Sequence, residues 1–95
     1  MPAIRYTKRA LARLEQIGEW IEKDNPPAAQ RVVTHISETI DLLAGLPEMG
    51  RSGRVSGTRE LVVVGMPYIV AYRVKAGFVE VVTILHASQR WPKRF

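Results

Sequence analysis

Apolar residues in the first half of the chain recur every three or four positions with charged residues between them, which is typical of amphipathic helices. The first such stripe consists of Ala10, Leu11, Leu14, Ile17 and Ile21. It predicts a helix from about Lys8 to Asp24, with Thr7 as an N-cap whose hydroxyl accepts a hydrogen bond from the first turn. Gly18 lies inside this helix and is compatible with the close approach of a second one.

A second apolar stripe follows Asn25-Pro26-Pro27, a sequence that ends one helix and begins another. Asn25 is a favourable N-cap, and proline suits the first helical turn because its missing N–H needs no partner there. The stripe consists of Ala29, Val32, Val33, Ile36, Ile40, Leu43 and Leu46. Gly45 and Pro47 terminate this helix. So short a connection predicts an antiparallel helical hairpin, one face of which covers a sheet.

The segment from residue 59 to residue 86 is dense in β-branched and aromatic residues, which favour a pleated and packed surface. It predicts three strands, at Arg59 to Val64, Tyr68 to Lys75 and Phe78 to His86. Gly65-Met66-Pro67 and Ala76-Gly77 are too short for a parallel crossover, so we expect neighbouring strands to be antiparallel.

Ile4-Arg5-Tyr6 alternates apolar and polar residues and predicts a short edge strand that joins this sheet. Residues 46–58 are rich in glycine and predict a loop. The predicted fold is therefore one α+β domain spanning residues 1–95, in the order β-α-α-β-β-β. An N-terminal short strand and an antiparallel helical hairpin accompany a three- to four-stranded antiparallel sheet.

The composition of the chain argues against disulfides, metal sites, nucleotide binding and membrane association. The chain has no cysteine and only two histidines without metal-ligand spacing, so we expect neither a disulfide nor a metal, and no cofactor motif is present. The glycine spacing in the loop does not match a phosphate-binding motif. Met1 to Tyr6 lacks an apolar leader, and no apolar run reaches membrane-spanning length, which predicts a cytoplasmic protein without membrane association.

Charge is unevenly distributed along the chain, whose net charge is +5. Residues 1–48 carry six Lys or Arg and seven Asp or Glu, whereas residues 49–95 carry eight and two. This basic half indicates either an anionic partner or a simple contribution to solubility, and composition alone leaves both open. Its loop and tail cations and aromatics are Arg51, Arg54, Arg90, Trp91, Lys93, Arg94 and Phe95.

Four stretches occur in a characteristic order. They are Leu46-Pro47-Glu48-Met49-Gly50-Arg51, Gly57-Thr58-Arg59-Glu60-Leu61-Val62-Val63, Pro67-Tyr68-Ile69-Val70-Ala71-Tyr72-Arg73-Val74 and Ile84-Leu85-His86-Ala87-Ser88-Gln89-Arg90-Trp91-Pro92. Together they resemble the ParE branch of the RelE/ParE toxin superfamily. The resemblance implies the toxin of a type II toxin–antitoxin system, held inactive by a ParD-like antitoxin, with operator DNA contacted only through that antitoxin. It also implies one of two targets, since ParE-type toxins poison DNA gyrase and RelE-type toxins cleave mRNA on the ribosome.

The residues favour the gyrase poison. RelE-type toxins typically place an arginine just after the aromatic that opens the middle strand, where this chain has Ile69. Ser88 lies near the position of a second basic residue, and no tyrosine follows Tyr72. We therefore expect no catalytic residues. The surface that binds the target is predicted to be the basic loop and tail, because Trp and Arg are enriched at interface hot spots.

The alternative is a ribosome-dependent mRNA endonuclease. In that case His86 would act as acid or base and Glu60 as base, with phosphate partners at Arg59, Arg73 and Arg90. We favour a structural hydrogen-bonding role for His86 and a cross-strand ion pair between Glu60 and Arg73. A general nucleic-acid-binding module ranks last, because no known recognition motif is present.

Two tryptophans have two interpretations each. Trp91 either contacts the target or closes over the core. Trp20, beside the main stripe of the first helix, either contacts the antitoxin or is partly buried in the helical hairpin. His35 is expected on the solvated face of the second helix.

Overall fold

The computed structural model describes residues 3–95, so Met1 and Pro2 of the predicted domain lie outside the described residues. Its elements are β1 (Ala3–Tyr6), α1 (Lys8–Glu22), α2 (Pro26–Asp41), a 3-10 turn (Leu42–Ala44), β2 (Arg51–Ser52), β3 (Arg59–Val62), β4 (Tyr68–Lys75) and β5 (Phe78–His86). The predicted α+β class and the order of helices and long strands are confirmed. Neither α1 nor α2 combines the length and apolarity needed to cross a bilayer, and the rest of the described chain offers no other such helix.

Both helices begin at the predicted caps. The Thr7 hydroxyl accepts a hydrogen bond from the backbone N–H of Ala10 at 3.0 Å, and the Asn25 side chain accepts one from Ala28 at 3.1 Å. α1 ends at Glu22, two residues before the predicted end, because the chain must leave the helical conformation ahead of Pro26. A Cβ at Gly18 would lie 3.1 Å from Val33 Cγ2, which confirms that the two helices approach closely there.

The sheet has five strands in the order β1-β5-β4-β3-β2, more than the three or four predicted. β1 pairs with β5 in parallel, so the sheet is mixed rather than antiparallel. Two helices and three strands separate β1 from β5 along the chain, and this is ample length for a parallel crossover. The extra strand is β2, which pairs antiparallel with β3 inside the segment predicted to be a loop.

The two faces of the sheet are buried by different parts of the chain. Core residues of β3, β4 and β5 face the helices; they are Leu61, Val70, Tyr72, Val79, Val81 and Ile84. The opposite face, here called the outer face, is formed by Glu60, Ile69, Ala71, Thr83 and Leu85. All five are buried, with at most 5% exposure, although the helical hairpin packs on the other side. Another part of the chain must therefore cover them.

Candidate functional site

The loop before β3 reaches the outer face at Glu60, and the tail after β5 joins the loop through the contact of Trp91 with Arg54. The loop turns back on itself because Gly53 N–H donates to Thr58 O at 2.8 Å, and this turn buries Val55. The tail begins where the Ala87 N–H donates to Pro67 O at 2.8 Å. These two segments carry the residues predicted to bind the target.

A buried carboxylate lies beneath the loop. The Glu60 side chain is 1% exposed, and its Oε1 accepts hydrogen bonds from Arg51 Nε at 3.1 Å and Nη2 at 2.9 Å. Its Oε2 accepts the backbone N–H of Arg54 at 2.7 Å, and Arg54 Nε lies 3.7 Å from Oε1. Charge-assisted hydrogen bonds of this kind are the strong ones, so Glu60 fixes both the side chain of Arg51 and the backbone at Arg54.

The predicted ion pair between Glu60 and Arg73 is wrong. The register places Glu60 opposite Ala71 on β4, while Arg73 lies farther along that strand and opposite Glu80 of β5. Arg73 Nη1 accordingly lies 3.6 Å from Glu80 Oε1. The partners of Glu60 come instead from the neighbouring loop, through the β2–β3 pairing that sequence reasoning missed.

Trp91 joins the tail to the same cluster. The guanidinium carbon of Arg54 lies 3.9 Å from the centroid of the Trp91 ring, a cation–π stack. The indole Nε1 is buried and has no hydrogen-bond partner among residues 3–95. Arg51 and Arg54 keep about half of their side-chain surface exposed, at 54% and 50%. The structure thus brings together three of the predicted target-binding residues.

The remaining predicted target-binding residues lie along the tail. Arg90, Lys93 and Arg94 are exposed, and Phe95 is half-buried. The tail is fastened to the domain by Arg13 of α1, whose Nε donates to Ile84 O and whose Nη2 donates to Gln89 Oε1, both at 3.1 Å. This link between α1 and the tail has no signal in the sequence, because it joins residues that are far apart along the chain.

His86 lies on the helix-facing side, away from Glu60. Its Nδ1 accepts the backbone N–H of Ser88 at 3.1 Å and lies 2.7 Å from the Ser88 hydroxyl. Because a backbone N–H can only donate, Nδ1 is the acceptor in the contact with Ser88. The Tyr68 ring meets the imidazole edge-on at 5.7 Å. The ring therefore has the hydrogen-bonding role that we favoured.

Arg59, a further residue of the endonuclease alternative, is bonded to the loop before β3. Arg59 Nη1 donates to Glu48 O at 3.2 Å and to Gly50 O at 2.8 Å, which holds the start of the loop against β3. Among residues 3–95, no cluster of three or more His, Asp or Glu side chains is arranged to hold a metal ion. The outer-face side chains are buried, so the side chains available for binding are the half-exposed Arg51 and Arg54 and the exposed cations of the tail.

A groove of about 610 Å³ lies between α1 and the ends of β4 and β5. Its lining residues include Arg13, Ile17, Trp20, Lys23, Tyr68 and His86. Trp20 is 74% exposed, so it is not buried in the helical hairpin, and the Lys23 amine lies 5.9 Å from its ring centroid. His35 is also placed differently from our expectation, since it is half-buried with Nε2 2.9 Å from the carbonyl oxygen of Val64, two residues after β3.

A helical hairpin on one face of a mixed sheet, with a basic loop and tail beside β3 and β5, defines a small α+β domain. Comparison with known proteins identifies its class. The family described as "ParE toxin of type II toxin-antitoxin system, parDE" matches residues 4–91, so this chain belongs to that family.

Individual relatives agree with this assignment. The chain is 52% identical over 90 residues to "Putative toxin Y4kP" of Sinorhizobium fredii (strain NBRC 101917 / NGR234), with 95% of this chain and 93% of that protein covered. It is 42% identical over 89 residues to "Toxin RelE2" of Caulobacter vibrioides (strain ATCC 19089 / CIP 103742 / CB 15), with 94% and 99% covered.

A solved structure has the same fold. This structure, titled "Chromosomal ParDE TA system from P. aeruginosa", is similar with a TM-score of 0.85 and 25% identity, covering 93% of this chain and 98% of that one. The chain is therefore the toxin of a ParDE-type toxin–antitoxin system.

Proposed function

We propose that this toxin arrests growth by binding DNA gyrase through its loop and tail, without cleaving RNA. The observation that carries this proposal is the stack of Arg54, whose side chain is half exposed, on the ring of Trp91. Rigid aromatic and arginine side chains are the usual anchors of protein interfaces. The exposed cations Arg90, Lys93 and Arg94 extend this surface along the tail.

RNA cleavage needs a different arrangement. A general base, a general acid and cations that stabilise the phosphorane must converge on one phosphate. Here the Glu60 carboxylate is neutralised by two arginines on the outer face, while His86 lies in the groove beside α1. The mRNA endonuclease remains the second candidate, because the Caulobacter relative carries the name RelE2.

The two candidates are separated by assaying purified toxin for inhibition of gyrase supercoiling and for cleavage of ribosome-bound mRNA. We expect inhibited supercoiling and intact mRNA. Arg54→Ala, which leaves Glu60 bonded to the Arg51 side chain and to the backbone N–H of residue 54, should weaken inhibition about tenfold or more, the effect of removing a hot-spot side chain. Arg31→Ala is the matched control, since this exposed arginine lies on α2. Cleaved mRNA with normal supercoiling would establish the endonuclease instead.

We further propose that a ParD-like antitoxin neutralises the toxin by direct binding, and that the toxin meets operator DNA only through it. A ParDE system as structural neighbour supports such a partner. The groove beside α1, where Trp20 is exposed, is the proposed contact. Because gyrase acts on chromosomal DNA, this function is exercised in the cytoplasm. Co-purification with the product of the adjacent reading frame tests the proposal, and failure of the two proteins to associate would exclude it.

A further inference from the structure

We propose that Glu60 is a positioning residue, which assembles Arg51, Arg54 and Trp91 into one preorganised binding surface. The inference rests on the proposed function only for what that surface binds. Its structural part concerns three segments that are distant in sequence: β3, the loop before it and the C-terminal tail. No motif in the sequence connects them.

The first step is the burial of Glu60. A carboxylate with 1% exposure is stable only if it is paired and hydrogen-bonded, because removal from water strongly disfavours its charge. Both oxygens are satisfied from the loop: Oε1 by the Arg51 side chain and Oε2 by the Arg54 backbone. The loop cannot leave β3 without exposing or stranding this charge. Glu60 therefore holds the loop in a single conformation.

The second step is the effect of the fixed loop conformation on Trp91 in the tail. Holding the backbone at Arg54 also orients its guanidinium, whose Nε lies 3.7 Å from Glu60 Oε1 and whose carbon lies 3.9 Å from the Trp91 ring centroid. Within residues 3–95, the buried Nε1 of Trp91 finds no hydrogen-bond partner. The indole is thus positioned by packing and by its stack with Arg54, and so indirectly by Glu60.

The third step is the consequence for binding. Side chains ordered before association lose less conformational entropy when the partner arrives, and this raises affinity without any new contact. Glu60 is too deeply buried to touch a partner itself. Its effect on the target must therefore act through the arginines and Trp91. A variant at Glu60 should lose function while its exposed cations remain present.

The structural part is tested with purified variants in a Trp20→Phe background, where Trp91 is the one tryptophan in the sequence. Glu60→Ala removes both acceptors, whereas Glu60→Gln keeps an acceptor and the side-chain volume but not the charge. We expect trypsin to cleave after Arg51 and Arg54 about tenfold faster in Glu60→Ala, with a smaller increase in Glu60→Gln, and Trp91 emission to shift in the same order.

The matched control is Glu80→Gln, which breaks the ion pair between Glu80 of β5 and Arg73 of β4. It should leave loop cleavage and Trp91 emission unchanged. If Glu60→Ala fails to fold, Arg54→Lys serves in its place, since it keeps the backbone N–H and charge but removes the planar stack. It should shift Trp91 emission without faster cleavage after Arg51. Unchanged cleavage in Glu60→Gln, together with unchanged Trp91 emission in both Glu60→Gln and Arg54→Lys, would overturn the inference.

The functional part is measured as growth arrest on induction, at a temperature where unfolding curves show each variant to be folded. Glu60→Gln should need about tenfold more protein to arrest growth, while Glu80→Gln arrests like the wild type. Full toxicity of a folded Glu60→Gln would contradict the positioning role. Loss of toxicity in this variant, combined with a wild type that does not inhibit gyrase, would support the positioning role and exclude only gyrase as the target.

Discussion

At the scale of single residues, Tyr72 connects the core to the loop that precedes β3. Its side chain is completely buried, and its hydroxyl accepts the Gly50 N–H at 2.9 Å. A Cβ at Gly50 would lie 2.6 Å from that hydroxyl, so the close approach requires glycine. Burial raises the pKa of Tyr72 above its usual value, and it does the same for the pKa of Tyr6.

These shifts predict a loss of stability at alkaline pH. Above about pH 10 the unfolded chain releases the tyrosine protons while the folded protein retains them, so the free energy of unfolding falls as pH rises. Tyr72→Phe should reduce this alkaline loss, although at neutral pH it costs about 1–3 kcal/mol because Gly50 N–H loses its partner. Urea unfolding at about pH 8 and about pH 11 measures both effects. An unchanged pH dependence in Tyr72→Phe would contradict the prediction.

At the scale of secondary structure elements, both helices begin at a side chain that caps the first turn, but the two capping residues differ in their other contacts. Asn25 only caps α2, whereas the Thr7 hydroxyl caps α1 and also donates to Val82 O of β5 at 2.7 Å. Thr7 therefore fixes the helical hairpin to the sheet in addition to satisfying the first turn. A capping side chain typically contributes about 1 kcal/mol.

We expect Asn25→Ala to lower the free energy of unfolding by about 1 kcal/mol and Thr7→Ala to lower it by about 2 kcal/mol, since the latter also leaves Val82 O unpaired. Chemical denaturation at neutral pH measures the difference. Thr7→Ser keeps the hydroxyl and is the matched control, expected to stay within about 0.5 kcal/mol of the wild type. Equal losses for the two alanine variants would show that the bond to β5 contributes nothing.

At the scale of the whole molecule, the basic second half of the chain forms most of the sheet, the loop and the tail, while both helices belong to the slightly acidic first half. An acidic antitoxin segment would be attracted by this field before it makes any contact, because complementary charge raises association rates. The apolar Trp20 contact would act after encounter, by slowing dissociation.

Stopped-flow binding of the antitoxin should therefore show an association rate constant that falls about tenfold between about 50 mM and about 500 mM salt. Trp20→Ala should keep this salt dependence and accelerate dissociation about tenfold. Glu15→Ala, on an exposed position of the same helix, is a control with little expected effect. A salt-independent association rate would contradict electrostatic attraction, and unchanged dissociation in Trp20→Ala would exclude the groove.

Residue periodicity, turn residues and capping residues predicted most of the helices and strands. The bounds of β4 and β5 agree with the prediction because their β-branched runs are ended by short turns, and Thr7 and Asn25 cap the helices as their positions indicated. β3 ends two residues early, at Val62, and the chain then turns toward β4. Apolar Val64, which the strand pattern had included, is 79% exposed.

The amino-acid sequence by itself determined the helical hairpin, the long strands, the basic half of the chain and the family resemblance, because these depend on periodicity, capping and residue order. Only the tertiary structure decided that β1 runs parallel to β5, that Glu60 pairs with Arg51 and Arg54 rather than with Arg73, and that Trp20 is exposed. The reason is physical. Strand direction, ion-pair partners and burial depend on contacts between residues far apart in the chain, and local sequence patterns do not predict such contacts.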